Sequence, residues 1–288
     1  MNGESFHEPS NPSSGSSSHR DETSPSEDEA PSSSSAISGP VVVRIGAAIM
    51  VLSSLLSWVD WFGDGFPHIT GIGITTSGTG LAVFVLGLSL LFWNWPIGIT
   101  LGKALGAFSV TVVFFSLVRP SSGYLGAGAW ISLMGTAIAL VGAVLVAGQS
   151  TDQAKLEIAN LFRAGFGAAL AIVASVWFDW VTFSGLRIDA GVDAEPLTGV
   201  DPDVSYGIPV LIFASVVLVL ITVVVSDLLT NNKLVTLLVQ VAGIAITVVA
   251  GANVLGNMVL GWTVFGSAPV VALAGGILLT SAVREPNS

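Results

Sequence analysis

Residues 41–61 read VVVRIGAAIMVLSSLLSWVDW, and residues 161–180 read LFRAGFGAALAIVASVWFDW. Each stretch is an apolar run of about 20 residues, the length that a helix needs to cross a bilayer. Each carries an arginine near its start and a Trp-x-Asp-Trp motif at its end. The two stretches therefore predict membrane-spanning helices, and they predict that two parts of the chain are related to each other.

Similar apolar runs recur to the end of the chain. Because the hydrocarbon core leaves unpaired backbone groups unsatisfied, such runs are expected to be helical. The predicted fold class is therefore an all-α integral membrane protein with eight transmembrane helices. The predicted spans are 41–61, 79–95, 97–118, 127–148, 162–182, 208–228, 233–254 and 266–283.

The composition excludes several classes of protein. Of 288 residues, 52% are hydrophobic and 10% are charged, against about 25% charged in a soluble domain, which excludes a water-soluble multi-domain enzyme. The chain has no cysteine and three histidines, so we expect no metal, no cofactor and no enzymatic activity. A net charge of −10 argues against nucleic-acid binding, which requires basic patches.

Residues 1–40 are rich in serine and acidic residues and nearly free of large apolar side chains. Such a segment cannot bury enough apolar surface to offset the entropy of ordering, so we predict a disordered tail. This tail either keeps the protein solvated or binds a membrane or cytoplasmic partner. Acidic residues confined to segments that face water resemble the composition of proteins from salt-loving archaea.

The distribution of basic residues predicts the orientation in the cell membrane. If the N-terminus lies in the cytoplasm, most lysines and arginines fall at cytoplasmic ends of the spans, and both termini are cytoplasmic. Arg44 and Arg163 then anchor two helices at this face. The other basic residues placed inside are Arg20, Lys103, Lys155, Lys233 and Arg284, and those placed outside are Arg119 and Arg187.

The two opening stretches align at an offset of 119 residues. This alignment predicts a first four-helix repeat at 41–148, a cytoplasmic linker at 149–161 and a second repeat at 162–288. An even number of helices per repeat predicts parallel repeats related by a pseudo-twofold axis along the membrane normal. The residues paired at this offset are Arg44 with Arg163, Trp58 with Trp177, Asp60 with Asp179 and Trp61 with Trp180; further pairs, at an offset of 133, are Gly123, Gly128 and Gly142 with Gly256, Gly261 and Gly275.

The order of features within each repeat resembles an uncharacterised class of archaeal and bacterial four-helix membrane modules. A first helix ends in Ser57-Trp58-Val59-Asp60-Trp61, then come Thr70-Gly71 and a helix led by Gly78-Thr79-Gly80-Leu81. The second repeat has Trp177-Phe178-Asp179-Trp180, Leu197-Thr198-Gly199 and Ser205-Tyr206-Gly207-Ile208. The plan is also similar to that of claudin-type tetraspan proteins, without the cysteine pair of their first outer loop. These resemblances imply a tandem pair of tetraspan units and no reaction.

Asp60 and Asp179 are the candidate functional pair. A carboxylate that follows a helix C-terminus faces the negative end of the helix dipole, so its presence in both repeats requires a reason. One reading is a salt bridge from each aspartate to an outer arginine, Asp60 to Arg119 and Asp179 to Arg187. The other reading is a shared cation site, because hard cations prefer convergent carboxylates. The flanking residues Trp58, Trp61, Trp177 and Trp180 fit the aromatic belt of a membrane interface.

The spans carry no ionisable residue near their middle, which is where ion-coupled transporters keep functional charges. We therefore expect a non-enzymatic scaffold, partner-binding subunit or envelope component in the lipid bilayer. The alternative is a passive channel or permease for small solutes between the two repeats. Hydroxyl side chains that converge on one wet cavity would favour the alternative: Ser53, Ser57, Thr100, Ser109, Thr111, Ser132 and Thr136.

Overall fold

A computed structural model describes residues 38–61, 69–76, 78–118, 123–149, 158–183, 197–201, 206–225, 232–260 and 263–283. Residues 37–288 form one compact unit. The predicted tail up to residue 37, most of the linker and the two basic residues Arg119 and Arg187 lie outside the described residues. The described chain is mostly helical, in agreement with the sequence.

Each predicted apolar run contains one helix. The main helices are α1 (Gly39–Ser54), α3 (Gly78–Phe92), α4 (Ile97–Val118), α5 (Ala127–Gln149), α6 (Ile158–Trp177), α7 (Gly207–Val225), α8 (Asn232–Leu260) and α9 (Ser267–Ser281); α2 (Gly73–Thr76) is a single turn. Within the described residues, five segments are long and apolar enough to span a membrane: Ile97–Ser116, Ala127–Gly148, Asn160–Trp177, Gly207–Val224 and Lys233–Gly256. The helices α1, α3 and α9 are apolar but shorter.

The prediction of an all-α fold was wrong for the segments that follow α1 and α6. Residues predicted to continue these helices are extended, and they form the central strands of two small antiparallel sheets. One sheet has the order β2-β1-β3 and the other β5-β4-β6. The strands are β1 (Ser57–Trp61), β2 (Ile69–Ile72), β3 (Gly123–Leu125), β4 (Asp179–Phe183), β5 (Leu197–Thr198) and β6 (Thr263–Phe265).

The helices form two rings of four. In the first half, α1 packs on α3 and α5, and α4 packs on the same two helices; in the second half, α6 packs on α7 and α9, and α8 packs on the same two. The halves meet where α8 packs on α4 and α3. Two separate groups of buried apolar residues form the core, one centred on each half.

Small residues bring the helix backbones together. A stripe of small residues on α5, which includes Gly135 and Ala139, packs against α1. A Cβ atom on Gly46 of α1 would collide with the backbone of Ala139, and one on Gly135 would touch Ile49. Ala139 and Ala143 are fully buried.

Candidate functional site

The bundle has two chemically different ends. We call the end that carries the two sheets the sheet end; the opposite end, where α1, α4, α6 and α8 begin, is the basic end. Among the described residues, the three acidic ones (Asp60, Asp179, Asp201) lie at the sheet end. The four basic ones lie toward the basic end: Arg44, Lys103, Arg163 and Lys233.

At the sheet end, Trp58 of β1 and Trp180 of β4 are both fully buried. The Trp58 indole N–H donates a hydrogen bond of 2.9 Å to the carbonyl oxygen of Ser53, and the Trp180 indole N–H donates one of 2.9 Å to that of Ala174. Each acceptor belongs to the helix that precedes the strand. The backbone carbonyl of each tryptophan in turn accepts a bond from a glycine N–H, Gly126 for Trp58 and Gly266 for Trp180.

A glycine packs against each buried indole. A Cβ atom on Gly73 would collide with the ring of Trp58, and a Cβ atom on Gly199 would collide with the ring of Trp180. The strand registers agree with this match: Val59 pairs with Leu125, Val181 pairs with Phe265, and a bulge precedes both residues. The sheet end therefore contains the same arrangement twice.

This register differs from the predicted pairing of residues. Trp58 corresponds to Trp180, 122 residues later, and not to Trp177, which is 71% exposed at the end of α6. Asp179 corresponds to Ser57. A Cβ atom on Gly266 would collide with the carbonyl group of Asp179, and a Cβ atom on Gly126 would collide with the carbonyl group of Ser57. The predicted pairing of Trp58 with Trp177 and of Asp60 with Asp179 was wrong in register.

The predicted pairing of Gly123 with Gly256 was also wrong. Gly123 lies in strand β3, whereas its predicted partner Gly256 lies in helix α8. Their difference in secondary structure excludes equivalent positions. Gly128 was paired with Gly261, which lies outside the described residues, and Gly142 was paired with Gly275. The backbone hydrogen bonds to the carbonyl oxygens of Trp58 and Trp180 instead relate Gly126 to Gly266.

The candidate aspartates lie on the two central strands. The backbone of Asp60 pairs with Thr70 and Tyr124, and that of Asp179 pairs with Thr198. The described residues contain no group of three or more His, Cys, Asp or Glu that could hold a metal ion. Since both predicted partners, Arg119 and Arg187, lie outside the described residues, the salt bridges stay predictions.

A hydrogen bond between Thr79 and Tyr206 joins the halves at the sheet end. The hydroxyl oxygens of Thr79 and Tyr206 lie 2.9 Å apart. Thr79 immediately precedes Gly80, which packs on Gly73, and Tyr206 immediately precedes Gly207, which packs on Gly199. Because Gly73 and Gly199 are the glycines that contact the buried indoles, Thr79 and Tyr206 occupy matching positions in the two halves. Burial raises the pKa of the Tyr206 hydroxyl, while the bond to Thr79 acts in the opposite direction; the phenol therefore stays protonated at neutral pH.

The seam between the halves is closely packed along α4 and α8. Gly98, Gly102 and Gly106 lie one turn apart on α4, and a Cβ atom on them would collide in turn with Gln240, Ile244 and Val248 of α8. The two helices therefore run parallel. Gln240 is 7% exposed and lies against Gly98 in this seam.

Most of the candidate hydroxyl side chains donate hydrogen bonds within their own helical segment. Five of the seven candidates donate to a carbonyl oxygen three to five residues earlier in their own segment: Ser53, Thr100, Ser109, Thr111 and Thr136. Ser132 is fully buried, and its hydroxyl oxygen has no hydrogen-bond partner among the described residues. This pattern is typical of hydroxyl groups within packed apolar helices.

At the basic end, Arg44 and Arg163 are exposed, as expected of interfacial anchors. The Arg44 guanidinium donates a hydrogen bond of 2.9 Å to Asn94 Oδ1, and that of Arg163 donates one of 3.5 Å to the Ser281 carbonyl oxygen. Lys103 lies less than two turns into α4. Its ammonium donates to Ser89 Oγ at 2.7 Å and lies 3.4 Å from the centroid of the Trp95 ring, a cation–π contact.

No protein-family model, curated protein or solved structure matches this chain.

Proposed function

We propose that this chain is an eight-span protein of the cell membrane, built from two tandem four-helix units that arose by duplication. In this proposal both termini lie in the cytoplasm and the sheets lie outside. The protein acts as a non-enzymatic scaffold or partner-binding component of the envelope, and the acidic N-terminal tail is available to a partner. The observation that carries the proposal is the close seam between the units, in which glycines of α4 contact side chains of α8.

Support for eight spans comes from the neighbours of the three shorter helices. A helix of 16 residues such as α1 is about 24 Å long, somewhat less than the hydrocarbon core. However, α1 lies along α5 from Gly39, beside Val146, to Gly46, beside Ala139. A helix that runs along a spanning helix at the same depth crosses the membrane with it.

Support for the duplication comes from the two sheets. The strand order, the bulge, the indole hydrogen bond and the glycine beneath the indole occur in both halves. The contact of α4 with α8, the third main helix of each half, fits a pseudo-twofold axis along the membrane normal.

Support for the orientation comes from the separation of charge. Basic residues favour the cytoplasmic face, and the described lysines and arginines lie toward the basic end, where α1 begins. Exposed aromatic side chains occur near both ends of the bundle, as in an aromatic belt. Trp93 and Phe162 lie near the basic end, and Trp130 and Trp177 lie near the sheet end.

A flux assay with a covalent lock tests the scaffold role against a permease. Because the chain has no cysteine, Gly98→Cys with Gln240→Cys introduces one unique pair, and these residues are in contact across the seam. Liposomes that contain the wild-type protein are expected to release glycerol or urea no faster than protein-free liposomes. Flux that disappears when the pair is oxidised and returns on reduction would establish the permease and overturn the scaffold.

A purification from native membranes tests the partner role of the tail. Full-length protein and a variant without residues 1–40 are isolated in mild detergent, and bound proteins are identified by mass spectrometry. The proposal predicts a stoichiometric partner that depends on the tail. A preparation of the full-length protein without any partner would contradict the scaffold role.

A further inference from the structure

A cavity of about 290 Å³ opens at the basic end of the first half. It lies where α1 begins, α3 ends, α4 begins and α5 ends, so four helices and the turn between α3 and α4 form its walls. In a membrane this level corresponds to the lipid headgroups. Its lining includes Val43, Arg44, Leu90, Trp93, Asn94 and Trp95.

The polar side of the cavity is positively charged. A guanidinium group has five N–H donors, and one nitrogen of Arg44 is directed at the cavity residue Asn94. The described acidic residues lie at the opposite end of the bundle. The ammonium of Lys103 lies over the ring of Trp95, which lines the cavity, and adds a second positive charge nearby.

The remaining walls are apolar and aromatic. The aliphatic side chains of Val43, Leu90 and Val146 line the cavity toward the helices. Trp93 is 64% exposed and Trp95 is 37% exposed. The Trp95 indole N–H donates to the Ser89 carbonyl oxygen at 3.1 Å, which fixes the orientation of its ring. The cavity therefore combines a cation, rigid aromatic surface and an aliphatic wall.

We propose that this cavity binds an anionic phospholipid from the cytoplasmic leaflet. The phosphodiester accepts hydrogen bonds from Arg44, which recognises phosphate oxygens through its planar set of donors. The glycerol region lies on the exposed tryptophans, and the start of an acyl chain follows the aliphatic wall. This inference rests on the proposed membrane embedding and orientation.

The mixed chemistry favours a lipid over other anions. Free phosphate would use the guanidinium and leave the aliphatic and aromatic walls without a ligand. An acidic peptide such as the N-terminal tail would supply carboxylates, whereas the apolar walls match acyl chains. An amphiphile with a phosphate headgroup uses all three surfaces.

Native mass spectrometry of the full chain in detergent tests the proposal. Phosphatidylglycerol and phosphatidylcholine with the same acyl chains are titrated in turn, and phosphatidylglycerol is expected to bind more tightly. Arg44→Gln should weaken that binding by about tenfold or more, the loss expected for one charge-assisted hydrogen bond. Arg163→Gln is the matched control, because Arg163 is exposed at the same end and donates to Ser281 away from this cavity.

A second variant keeps the test valid if Arg44→Gln folds poorly. Asn94→Asp places a carboxylate beside the Arg44 guanidinium, where it neutralises the charge and repels a phosphate. We expect it to lower the affinity for phosphatidylglycerol and to preserve the melting temperature of the lipid-free protein. The affinity for phosphatidylcholine should fall less in both variants, because its choline cation already opposes the positive charge of the site.

Three results would overturn the proposal. The first is phosphatidylglycerol binding that Arg44→Gln and Asn94→Asp leave unchanged. The second is stabilisation by inorganic phosphate alone to the same extent, which would assign a site for the free anion. The third is Arg44-dependent binding of a peptide of residues 19–37 without any preference for phosphatidylglycerol. Protein that alkaline carbonate extracts from membranes would instead contradict the membrane embedding itself.

Discussion

Trp58 and Trp180 occupy the same position in two sheets that lie 122 residues apart along the chain. Each indole is fully buried and donates its N–H to a carbonyl oxygen of the preceding helix. An indole can satisfy its one donor within an apolar environment only if such an acceptor is fixed nearby. The pair therefore holds the end of α1 to β1 and the end of α6 to β4.

We expect Trp58→Phe and Trp180→Phe each to lower the free energy of unfolding by about 1–3 kcal/mol, since each removes a buried indole hydrogen bond and packed volume. Trp177→Phe should have little effect, because Trp177 is 71% exposed. Unfolding by a denaturing detergent in mixed micelles measures the difference. The alignment at an offset of 119 would instead be supported if Trp177→Phe lowered the free energy of unfolding as much as Trp58→Phe did, while Trp180→Phe had no effect.

The sequence predicted the eight helical segments because uniform hydropathy over about 20 residues is a strong signal. It did not predict the sheets, because Ser57–Trp61 continues the apolar run of α1 and hydropathy does not separate a buried strand from a helix. The register was misread for a different reason. Tryptophans recur at a spacing of three in each motif, so the motif overlaps itself, and only burial shows that Trp180 is the equivalent of Trp58.

Other features of the site could be found from the sequence only in part. Gly73 lies seven residues before Gly80, and Gly199 lies eight residues before Gly207, so this spacing indicated the repeated arrangement. The signal was weak, because glycine is frequent in this chain. The cavity at the basic end depends on the meeting of four helices. No local pattern around Arg44 indicates that Asn94, 50 residues later, lies beside it.

The glycines beneath the indoles provide a second prediction. Gly73→Ala and Gly199→Ala each place a methyl group into a buried indole ring, and overpacking of this kind costs about 1–3 kcal/mol. Gly251→Ala is the matched control, because nothing lies within 4 Å of its Cβ position and alanine favours a helix. Melting temperatures in detergent should fall for the first two variants and stay level or rise for the control. Equal melting of all three would refute the packing described for the sheet end.

The hydrogen bond between Thr79 and Tyr206 is expected to couple the two halves. In a double-mutant cycle of Thr79→Val and Tyr206→Phe, a bond between neutral groups should give a coupling energy of about 0.5–1.5 kcal/mol. Each single variant leaves one hydroxyl without its partner, and the double variant removes both. Additive losses in the free energy of unfolding would mean that the two hydroxyl groups do not interact.

The aspartates of the central strands provide the last prediction. If Asp60 is paired with Arg119 and Asp179 with Arg187, then Asp60→Asn and Asp179→Asn should each lower the melting temperature, and the effect should diminish as salt is raised, because salt screens exposed ion pairs. The double variant of Asp60→Asn with Arg119→Gln should lose little more than either single variant. If the carboxylates instead hold a cation, the melting temperature of the wild-type protein should rise on addition of Ca²⁺ or Mg²⁺, and that rise should vanish in either Asp→Asn variant. Unchanged melting of both variants at every salt concentration would exclude the salt bridges.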